Sequence, residues 1–485
     1  MTDNTLIQNA LASVNEAKAA LEAFLNAAKA KKPVGINVAY PAWYASRQTW
    51  RNLLQGGYWA DSSWKQVPSE QLDKDGYPLD WSKSYVRLMS IPTGGWIRDT
   101  KVVLTWKGTG TVTVSGPTNI VKGDHRLEFT IPAWGGQIRN KWISVYGVDP
   151  KDPIRDMEMV DADPANATDH QFSKEIVGTL KPYHTSRFMD WNDVNANIAR
   201  TMANIPNPKS LDRPHNAIEN QIDLCNLTDC DFWFNLSWMD DPAYGAWAAK
   251  TARARLAPHL KVNFELSNEV WNWQFQVAHD NLAEATALKI NPNNGYGAWQ
   301  NYSRRFILAV KPWEDAFADQ PKRLVRVLGT QVAYPEVTRQ ELKYPGILDH
   351  IDAIAGAPYF SHDRTKPFTW DLLEANIEKT AADFQTMCDI ARAAKPDILC
   401  YLYEGGQHEL PTSLLPQADF EAIQRDPRMG ALYTKYLEKM TSIADLTMQY
   451  YDVGSMSSSG AWGLQEYGGQ PDAPKQIAVA KFLAA

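Results

Sequence analysis

Cysteine is scarce in this 485-residue chain. Its four cysteines form no C-x-x-C pair, and a disulfide-dense scaffold would carry many more over a much shorter length. We expect them to be mostly free thiols in the core, with one bridge, between Cys225 and Cys230, left open. The four residues are Cys225, Cys230, Cys388 and Cys400.

Long apolar runs are also missing. No stretch reaches the roughly 20 residues that cross a bilayer, so we expect no membrane partner. The amino terminus lacks a basic region followed by an unbroken apolar core, which a secretory signal would show. The localisation therefore stays open between a cytoplasmic protein, a component of a larger particle such as a virion, and a secreted protein whose signal has been removed.

Basic charge is in deficit, with 49 Lys and Arg against 56 Asp and Glu and a net charge of −7. Because nucleic-acid binding depends on Lys and Arg that neutralise phosphates, this balance disfavours a nucleic-acid partner.

Tryptophan, by contrast, is abundant, with 19 Trp against 15 Phe. Flat indole rings stack on sugar rings as well as on bases. The composition therefore favours a carbohydrate partner.

Several motifs of other enzyme classes are absent. No G-x-G-x-x-G follows an early strand, and no G-x-x-x-x-G-K-[ST] occurs, which disfavours nucleotide cofactors. The nine histidines form no H-E-x-x-H or H-x-H pair, and no G-x-S-x-G marks a nucleophilic serine. We therefore expect no cofactor and no metal site.

Residues 4–31 predict one helix, because they are rich in Ala, Leu and Lys and contain no Gly or Pro. Apolar residues follow a heptad seam that is interrupted by Lys18. Two interpretations stay open: a short coiled coil through which the chain forms a homo-oligomer, and a terminal helix packed on its own domain. Lys-Lys-Pro at 31–33 ends the helix.

The rest of the chain predicts a barrel interrupted by a β domain. VGINVAY at 34–40 is typical of a buried strand, and six short alternating runs between 56 and 165 indicate an inserted antiparallel sandwich or small barrel. After 165, seven apolar strands alternate with amphipathic helices, which makes eight strands in all. We therefore predict an α/β fold, a (β/α)8 TIM barrel of residues 33–55 and 166–485, with an all-β insertion at 56–165 after an N-terminal helix at 1–32. A doubly wound sheet is the competing architecture.

In such a barrel the chemistry lies where the strands end. Glu269 follows a strand in VNFELSNEVWNW, and Glu404 ends a strand in ILCYLYEGGQH. Neither has a basic neighbour close in sequence that would make it an ordinary surface ion pair. Two carboxyl groups of this kind can protonate a leaving group and attack an acetal carbon. The pattern therefore predicts that Glu269 and Glu404 are catalytic.

At these residues the chain resembles the clan A glycoside hydrolases, which are (β/α)8 barrels with catalytic glutamates on strands four and seven. The strings RFMDW, FELSNEVWNWQF, LVRVLGTQ and YEGGQH are similar to a poorly characterised bacterial group of this superfamily, over roughly residues 180–470. The resemblance implies that Asn268 contacts a substrate 2-hydroxyl, that Glu269 is the acid/base and that Glu404 is the nucleophile. It also implies a retaining mechanism with carboxyl groups ~5–5.5 Å apart, a protonated Glu269 and an ionised Glu404.

The resemblance further implies three residues around the substrate. By position Arg187 supports the nucleophile, Tyr359 donates a hydrogen bond to it, and Trp462 forms the floor of the sugar site. This chain departs from many members at strand six, where His-x-Tyr is Ala357-Pro358-Tyr359, and at strand three, which has Asn235 and Ser237 where a His is frequent. The sugar therefore cannot be taken over from a named subgroup.

Further residues near predicted strand ends are candidates for substrate binding. They are Asn235, Trp191, Trp238, Trp271 and His408. Two alternatives to a hydrolase of polysaccharides or oligosaccharides stay open. One is a carbohydrate-binding or adhesive protein on a non-catalytic barrel, and the other is a transglycosylase with the same residues.

Overall fold

The computed structural model describes residues 31–41, 46–88, 99–133 and 142–485. The predicted N-terminal helix, with the oligomerisation suggested for it, lies almost wholly in residues 1–30, outside the described residues. The strands, in chain order, are β1 (Val34–Asn37), β2 (Trp59–Ala60), β3 (Tyr85–Leu88), β4 (Thr100–Lys107), β5 (Thr111–Ser115), β6 (Thr118–Gly123), β7 (Arg126–Ile131), β8 (Trp142–Tyr146), β9 (Arg155–Asp161), β10 (Thr185–Arg187), β11 (Asp231–Leu236), β12 (Val262–Leu266), β13 (Leu324–Gly329), β14 (Ala353–Gly356), β15 (Leu399–Leu402) and β16 (Leu446–Tyr451).

The α-helices of the described part are, in chain order, α1 (Lys174–Leu180), α2 (Ile218–Thr228), α3 (Pro242–Arg255), α4 (Gln276–Ala287), α5 (Asn294–Ala316), α6 (Glu336–Leu342), α7 (Trp370–Ala394), α8 (Gln417–Arg425), α9 (Pro427–Thr441) and α10 (Pro474–Ala484). Several begin at a side-chain cap followed by good helix formers. Asp241 accepts a hydrogen bond from the backbone of Ala243 with Pro242 at the first helical position, and Thr369 caps the 25-residue α7. In the described part, no helix combines the length and the apolar character needed to cross a membrane.

Eight parallel strands close into a barrel in the order β1, β10, β11, β12, β13, β14, β15 and β16, so the predicted (β/α)8 barrel is confirmed. Every residue of β11 and β12 is buried, as expected for strands covered by helices outside and by side chains within. The strands are shorter than their apolar runs. The second barrel strand is only Thr185–Arg187, shorter than the apolar run SRFMDW at 186–191 that indicates it, because the chain turns into a short 3-10 helix at Asp190. Arg187 therefore ends its strand.

Between β1 and β10 lie two four-stranded antiparallel sheets, ordered β2-β3-β8-β5 and β6-β7-β4-β9. Alternate residues of both sheets, among them Ile143 and Phe129, meet in one apolar core separate from the core of the barrel, which is the packing of a β-sandwich. The six predicted strands are present, and β2 and β6 are additional. β6 escaped prediction because all its residues are exposed and it carries no apolar alternation. The predicted domain boundaries stay a prediction.

All four cysteines are buried and free. The bridge that the sequence left open between Cys225 and Cys230 is therefore not formed. Cys400 lies in β15 and Cys388 in α7, so these thiols fill space inside the barrel layers.

Candidate active site

A cleft of about 910 Å³ opens where the barrel strands end. Glu269 follows β12, the fourth barrel strand, and Glu404 follows β15, the seventh, and both side chains line this cleft. The arrangement that the resemblance implied, with one glutamate after each of these strands, is thus the arrangement of this chain. The fold brings together two carboxyl groups that are 135 positions apart in the sequence.

The backbone after β12 is strained. Ser267 and Glu269, on either side of Asn268, have φ angles of 61° and 42°, in the left-handed region that side chains other than glycine rarely adopt. Such conformations cost about 1–3 kcal/mol each and persist where the surrounding structure holds them. Ser267 donates its backbone N–H to Leu236 on the neighbouring strand. The turn thereby presents Asn268 and Glu269 to the cleft in succession.

Arg187 lies under the site, fully buried, and its guanidinium is the centre of the polar network. It donates two hydrogen bonds of 2.9 Å to the two oxygens of Glu265, one of 2.9 Å to Oε1 of Glu404, one of 2.9 Å to Asn37 and one of 3.0 Å to Asn268. A guanidinium in this forked geometry holds planar carboxylates in fixed orientations. Arg187 therefore orients both Glu404 and the Asn268 that precedes Glu269.

Sequence reasoning missed Glu265. This carboxylate lies within β12, is 1% exposed, and accepts hydrogen bonds of 2.8 Å from Trp233 and Asn235 in addition to those from Arg187. The signal that could have found it is an acid inside an otherwise apolar strand, since a buried carboxylate requires a charged or hydrogen-bonding partner. The prediction that Asn235 binds substrate is therefore wrong. Asn235 is fully buried behind the cleft and donates a hydrogen bond to Glu265, so it cannot contact substrate.

Glu404 is held by a cation and a phenol. Arg187 binds its Oε1, and Tyr359 donates a hydrogen bond of 2.8 Å to its Oε2. Burial raises the pKa of Glu404 to about 8, Glu269 acts in the same direction, and Arg187 and Tyr359 oppose the rise. This burial opposes the ionised Glu404 that the resemblance implies, because only 4% of the residue is exposed to water. Its carboxylate form is gained as the pH approaches 8.

Glu269 has only neutral partners within hydrogen-bonding distance among the described residues. Tyr403 donates a hydrogen bond of 2.9 Å to its Oε1, and Asn272 donates one of 2.8 Å to its Oε2. Neither partner was singled out from the sequence, although Tyr403 directly precedes Glu404. The two carboxyl groups of the cleft thus differ in their surroundings, since one is bound to a guanidinium and the other is not.

An aromatic wall closes one side of the cleft. The ring of Trp462 lies 5.9 Å from Tyr359, 5.5 Å from Tyr450 and 4.7 Å from His408, measured between ring centroids. Burial lowers the pKa of His408 to about 4, so its imidazole is neutral at pH 7. Trp271 and the half-exposed Trp273 also line the cleft. Wide aromatic faces of this kind suit the apolar faces of sugar rings.

Two predicted tryptophans do not reach the cleft. Trp191 is fully buried, donates its indole N–H to the backbone of Ala39 and packs against Trp50. The 3-10 turn after β10 directs its ring into the core. Trp238 is 3% exposed and lies under the guanidinium of Arg305, 4.6 Å from the ring centroid. The prediction that Trp191 and Trp238 bind substrate is therefore wrong, and both side chains pack against other residues instead.

Within the described part, no three His, Cys, Asp or Glu side chains are grouped as metal ligands would be. His408 lies in the aromatic wall, and His362 is buried in contact with Glu409, with 2.6 Å between Nδ1 and the carboxylate.

No known family model and no curated protein matches the sequence. Among similar solved structures are a family 51 α-L-arabinofuranosidase from Bifidobacterium longum (13% identity, TM-score 0.39) and a family 1 β-glucosidase from Thermotoga maritima (12%, 0.38). A Cellulomonas fimi endo-β-1,4-mannanase double mutant is also similar (13%, 0.36). The alignments cover 60%, 64% and 60% of this chain and 63%, 85% and 66% of those chains, in that order. This chain therefore spans less than two thirds of the arabinofuranosidase. At such identities the likeness concerns the fold alone.

Proposed function

We propose that the protein is a retaining glycoside hydrolase that cleaves a polysaccharide or an oligosaccharide. One observation carries the proposal: a single cleft presents two carboxyl groups on the fourth and seventh barrel strands, one bound to a buried guanidinium and the other bound to neutral groups. A retaining mechanism needs this asymmetry, because one carboxylate must attack while the other carries and returns a proton.

Glu404 is the nucleophile in this proposal. Its carboxylate attacks the anomeric carbon, the bond to the leaving oxygen breaks, and a glycosyl ester forms on Glu404. The ester is neutral, so Arg187 loses one carboxylate partner during the reaction. Glu265 still binds the guanidinium through two hydrogen bonds, and the buried cation is therefore never left without a counter-charge.

Glu269 is the acid/base. It protonates the leaving oxygen in the first step and takes a proton from the attacking water in the second. No cation among the described residues holds it ionised through a direct hydrogen bond, and Tyr403 can donate to its carboxylate or accept from its carboxyl form. Asn272 can only donate to Oε2 of Glu269, through Nδ2. A proton that Glu269 carries would therefore be on Oε1, next to the hydroxyl of Tyr403.

Substrate contacts follow from the walls of the cleft. Asn268 receives a hydrogen bond from Arg187 and donates one of 3.1 Å to Asn195, which holds its amide beside the nucleophile and within reach of a sugar hydroxyl. Trp462 supplies a stacking face on one side, and Trp273 supplies one on the side of Glu269. A cleft of this size accommodates several sugar units, which suits a chain as substrate.

A panel of 4-nitrophenyl glycosides and polysaccharides tests the proposal, with the first-formed anomer followed by NMR. We expect release of the anomer that retains the substrate's configuration, and release of the inverted anomer would refute the two-glutamate scheme. Glu269→Ala should slow substrates with poor leaving groups far more than those with activated phenols, since only the former need the proton.

The same panel separates the two alternatives. Sugar affinity without any turnover, and unchanged in Glu404→Gln, would indicate a carbohydrate-binding protein. Products that appear only when an acceptor sugar is added would indicate a transglycosylase.

A further inference from the structure

Lys475 is a buried lysine that the proposed reaction does not use. It is the second residue of α10 and is 4% exposed. Its Nζ donates a hydrogen bond of 2.7 Å to the backbone carbonyl of Ala461. Among the described residues it has no ion-pair partner. Lysine is almost never fully buried without a partner of opposite charge, so this position calls for an explanation.

Two physical effects oppose a positive charge at Lys475. Burial lowers the pKa of Lys475 to about 7, and Glu466 opposes that shift. The first turn of a helix also carries the positive end of the backbone dipole, which disfavours a cation. An apolar side chain of the same length would avoid both costs. The stability of the fold therefore does not explain the amine.

The charged groups around Lys475 are engaged with each other. Arg425 and Glu466 line the small cavity beside Lys475 and pair with each other at 2.7 Å. The helix α9, which packs on α10, contributes no residue to this cavity. The contact of the amine with Ala461 is therefore the interaction to account for.

The carbonyl that Lys475 binds is held from two sides. It also accepts a hydrogen bond of 2.7 Å from Nε2 of Gln407, so both of its lone pairs are used. Gln407 is buried and follows Glu404 by three residues. The oxygen of Ala461 thereby joins α10 to the loop that carries the proposed nucleophile.

Fixing this carbonyl also fixes the backbone of Trp462. The carbonyl of Ala461 and the backbone nitrogen of Trp462 belong to one planar peptide unit, so the two hydrogen bonds set the plane from which the indole side chain departs. The indole packs against Tyr359, which binds Glu404. The place of this aromatic face in the cleft thus depends on a peptide that is held by Lys475 and Gln407.

We propose that Lys475 is a positioning residue for sugar binding, which holds the Ala461–Trp462 peptide so that the indole is presented to a sugar ring in the cleft. The proposal rests on the glycosidase function proposed above. It adds a residue outside the cleft that sets the affinity for the substrate through Trp462. The buried amine lowers the stability of the fold, and in return the stacking face is oriented.

Lys475→Met tests the proposal, because it removes the amine and keeps the length and the apolar stem of the side chain. Lys481→Met is the matched control, since Lys481 is exposed in the last turn of the same helix, where a cation is favourable. Each variant is measured by thermal melts, by kcat and KM for a 4-nitrophenyl glycoside, and by hydrogen–deuterium exchange of residues 455–463.

Lys475→Met should melt higher than the wild type at pH 7. The pKa of Lys475 is lowered from 10.5 to about 7 on folding, so between these values the unfolded chain binds a proton that the folded chain does not. The cost to stability is complete below pH 7 and disappears as the pH rises to 10.5. The gain in melting temperature should therefore shrink from pH 7 to pH 10, and Lys481→Met should show no gain.

Although Lys475→Met should be more stable, we expect its KM to rise about threefold to tenfold with little change in kcat, as for loss of one hydrogen bond. Exchange of residues 455–463 should become faster, and Lys481→Met should leave KM and exchange unchanged. Unchanged KM and exchange in Lys475→Met would overturn the proposal while leaving the hydrolase intact. A lower melting temperature at pH 7 with a fall in kcat would show a purely structural lysine and would also overturn it.

The exchange measurement separates this proposal from the proposed function. If the wild type cleaves no glycoside, the proposed function fails, and exchange then decides the role of Lys475. Faster exchange of residues 455–463 in Lys475→Met, and not in Lys481→Met, supports the positioning role. Equal exchange in wild type and Lys475→Met refutes it.

Discussion

Nη1 of Arg187 donates a hydrogen bond of 2.9 Å to Oε1 of Glu404; Arg187 is fully buried beneath the cleft, and Glu404 lines the cleft with 6% of its side chain exposed. Arg187 is shared with Glu265, which binds it through both carboxylate oxygens. The nucleophile proposed here therefore sits at the edge of a buried ion cluster. Its reactivity, its protonation and the stability of the barrel are linked through one guanidinium.

Replacing Glu404 by Gln should abolish turnover and stabilise the protein at alkaline pH. Nucleophilic attack needs the carboxylate, so kcat should fall by about 10³ or more. The pKa of Glu404 is raised from 4.5 to about 8 on folding, so folding is favoured when this carboxyl is protonated. The associated stability is fully present below about pH 4.5 and is lost as the pH rises through 8.

Thermal melts of wild type and Glu404→Gln across pH 4–9 check this linkage. The melting temperatures should agree near pH 4, and the variant should melt higher at pH 8 and above. Equal turnover of wild type and Glu404→Gln would show that Glu404 is not the nucleophile. If the variant melted lower than wild type only at alkaline pH, the predicted link between Glu404 protonation and stability would have the wrong sign.

The acid limb of the pH–rate profile should lie well above the ordinary carboxyl range. Glu404 must lose its proton to attack, and burial raises its pKa to about 8, so kcat/KM should increase as the pH rises towards 8. Tyr359→Phe removes a hydrogen bond that stabilises the ionised form and should displace the limb to still higher pH. A limb near pH 4.5, or one that Tyr359→Phe moves downward, would contradict the assignment.

Glu265→Gln should destabilise the barrel strongly although Glu265 does not line the cleft. The change removes the carboxylate that binds the buried guanidinium of Arg187 through both of its oxygens, for which a cost of about 3–5 kcal/mol is usual. Asp223→Asn is a suitable control, since Asp223 pairs with Arg255 on the surface and exposed pairs contribute about 0–1 kcal/mol. Urea unfolding of both variants measures the difference, and similar small losses would show that Arg187 does not depend on Glu265.

Gly460→Ala should impair the aromatic wall without touching a carboxyl group. Gly460 has a φ of 123°, and a Cβ added there would lie 2.7 Å from Nε1 of Trp462, so the indole must move. Gly469→Ala is the matched control, because its φ is also positive but its Cβ would meet nothing within 4 Å. We expect a several-fold higher KM for Gly460→Ala and an unchanged KM for Gly469→Ala. Equal increases in KM for the two variants would show that backbone strain, and not displacement of Trp462, causes the effect.

Much of the architecture could be read from local pattern. In buried strands such as β11 and alternating strands such as β7, the order of apolar residues in the sequence predicts which side chains are buried. Acidic residues that directly follow such strands indicate the end of the barrel where the active site lies. The strand β6 and the short β10 were missed or misplaced, because an exposed edge strand and a three-residue strand carry little periodic signal.

The sequence by itself determined the eight-stranded barrel, the inserted sandwich and the pair Glu269 and Glu404 as candidates, since each depends on residue order within a few positions. Only the tertiary structure decided which other side chains meet them. Glu265 joins Arg187 across 78 positions, Trp191 turns inward and Tyr403 donates a hydrogen bond to Glu269. The reason is physical: hydrogen bonds and burial depend on distances in space, and the closure of the barrel sets those distances between residues that the chain keeps far apart.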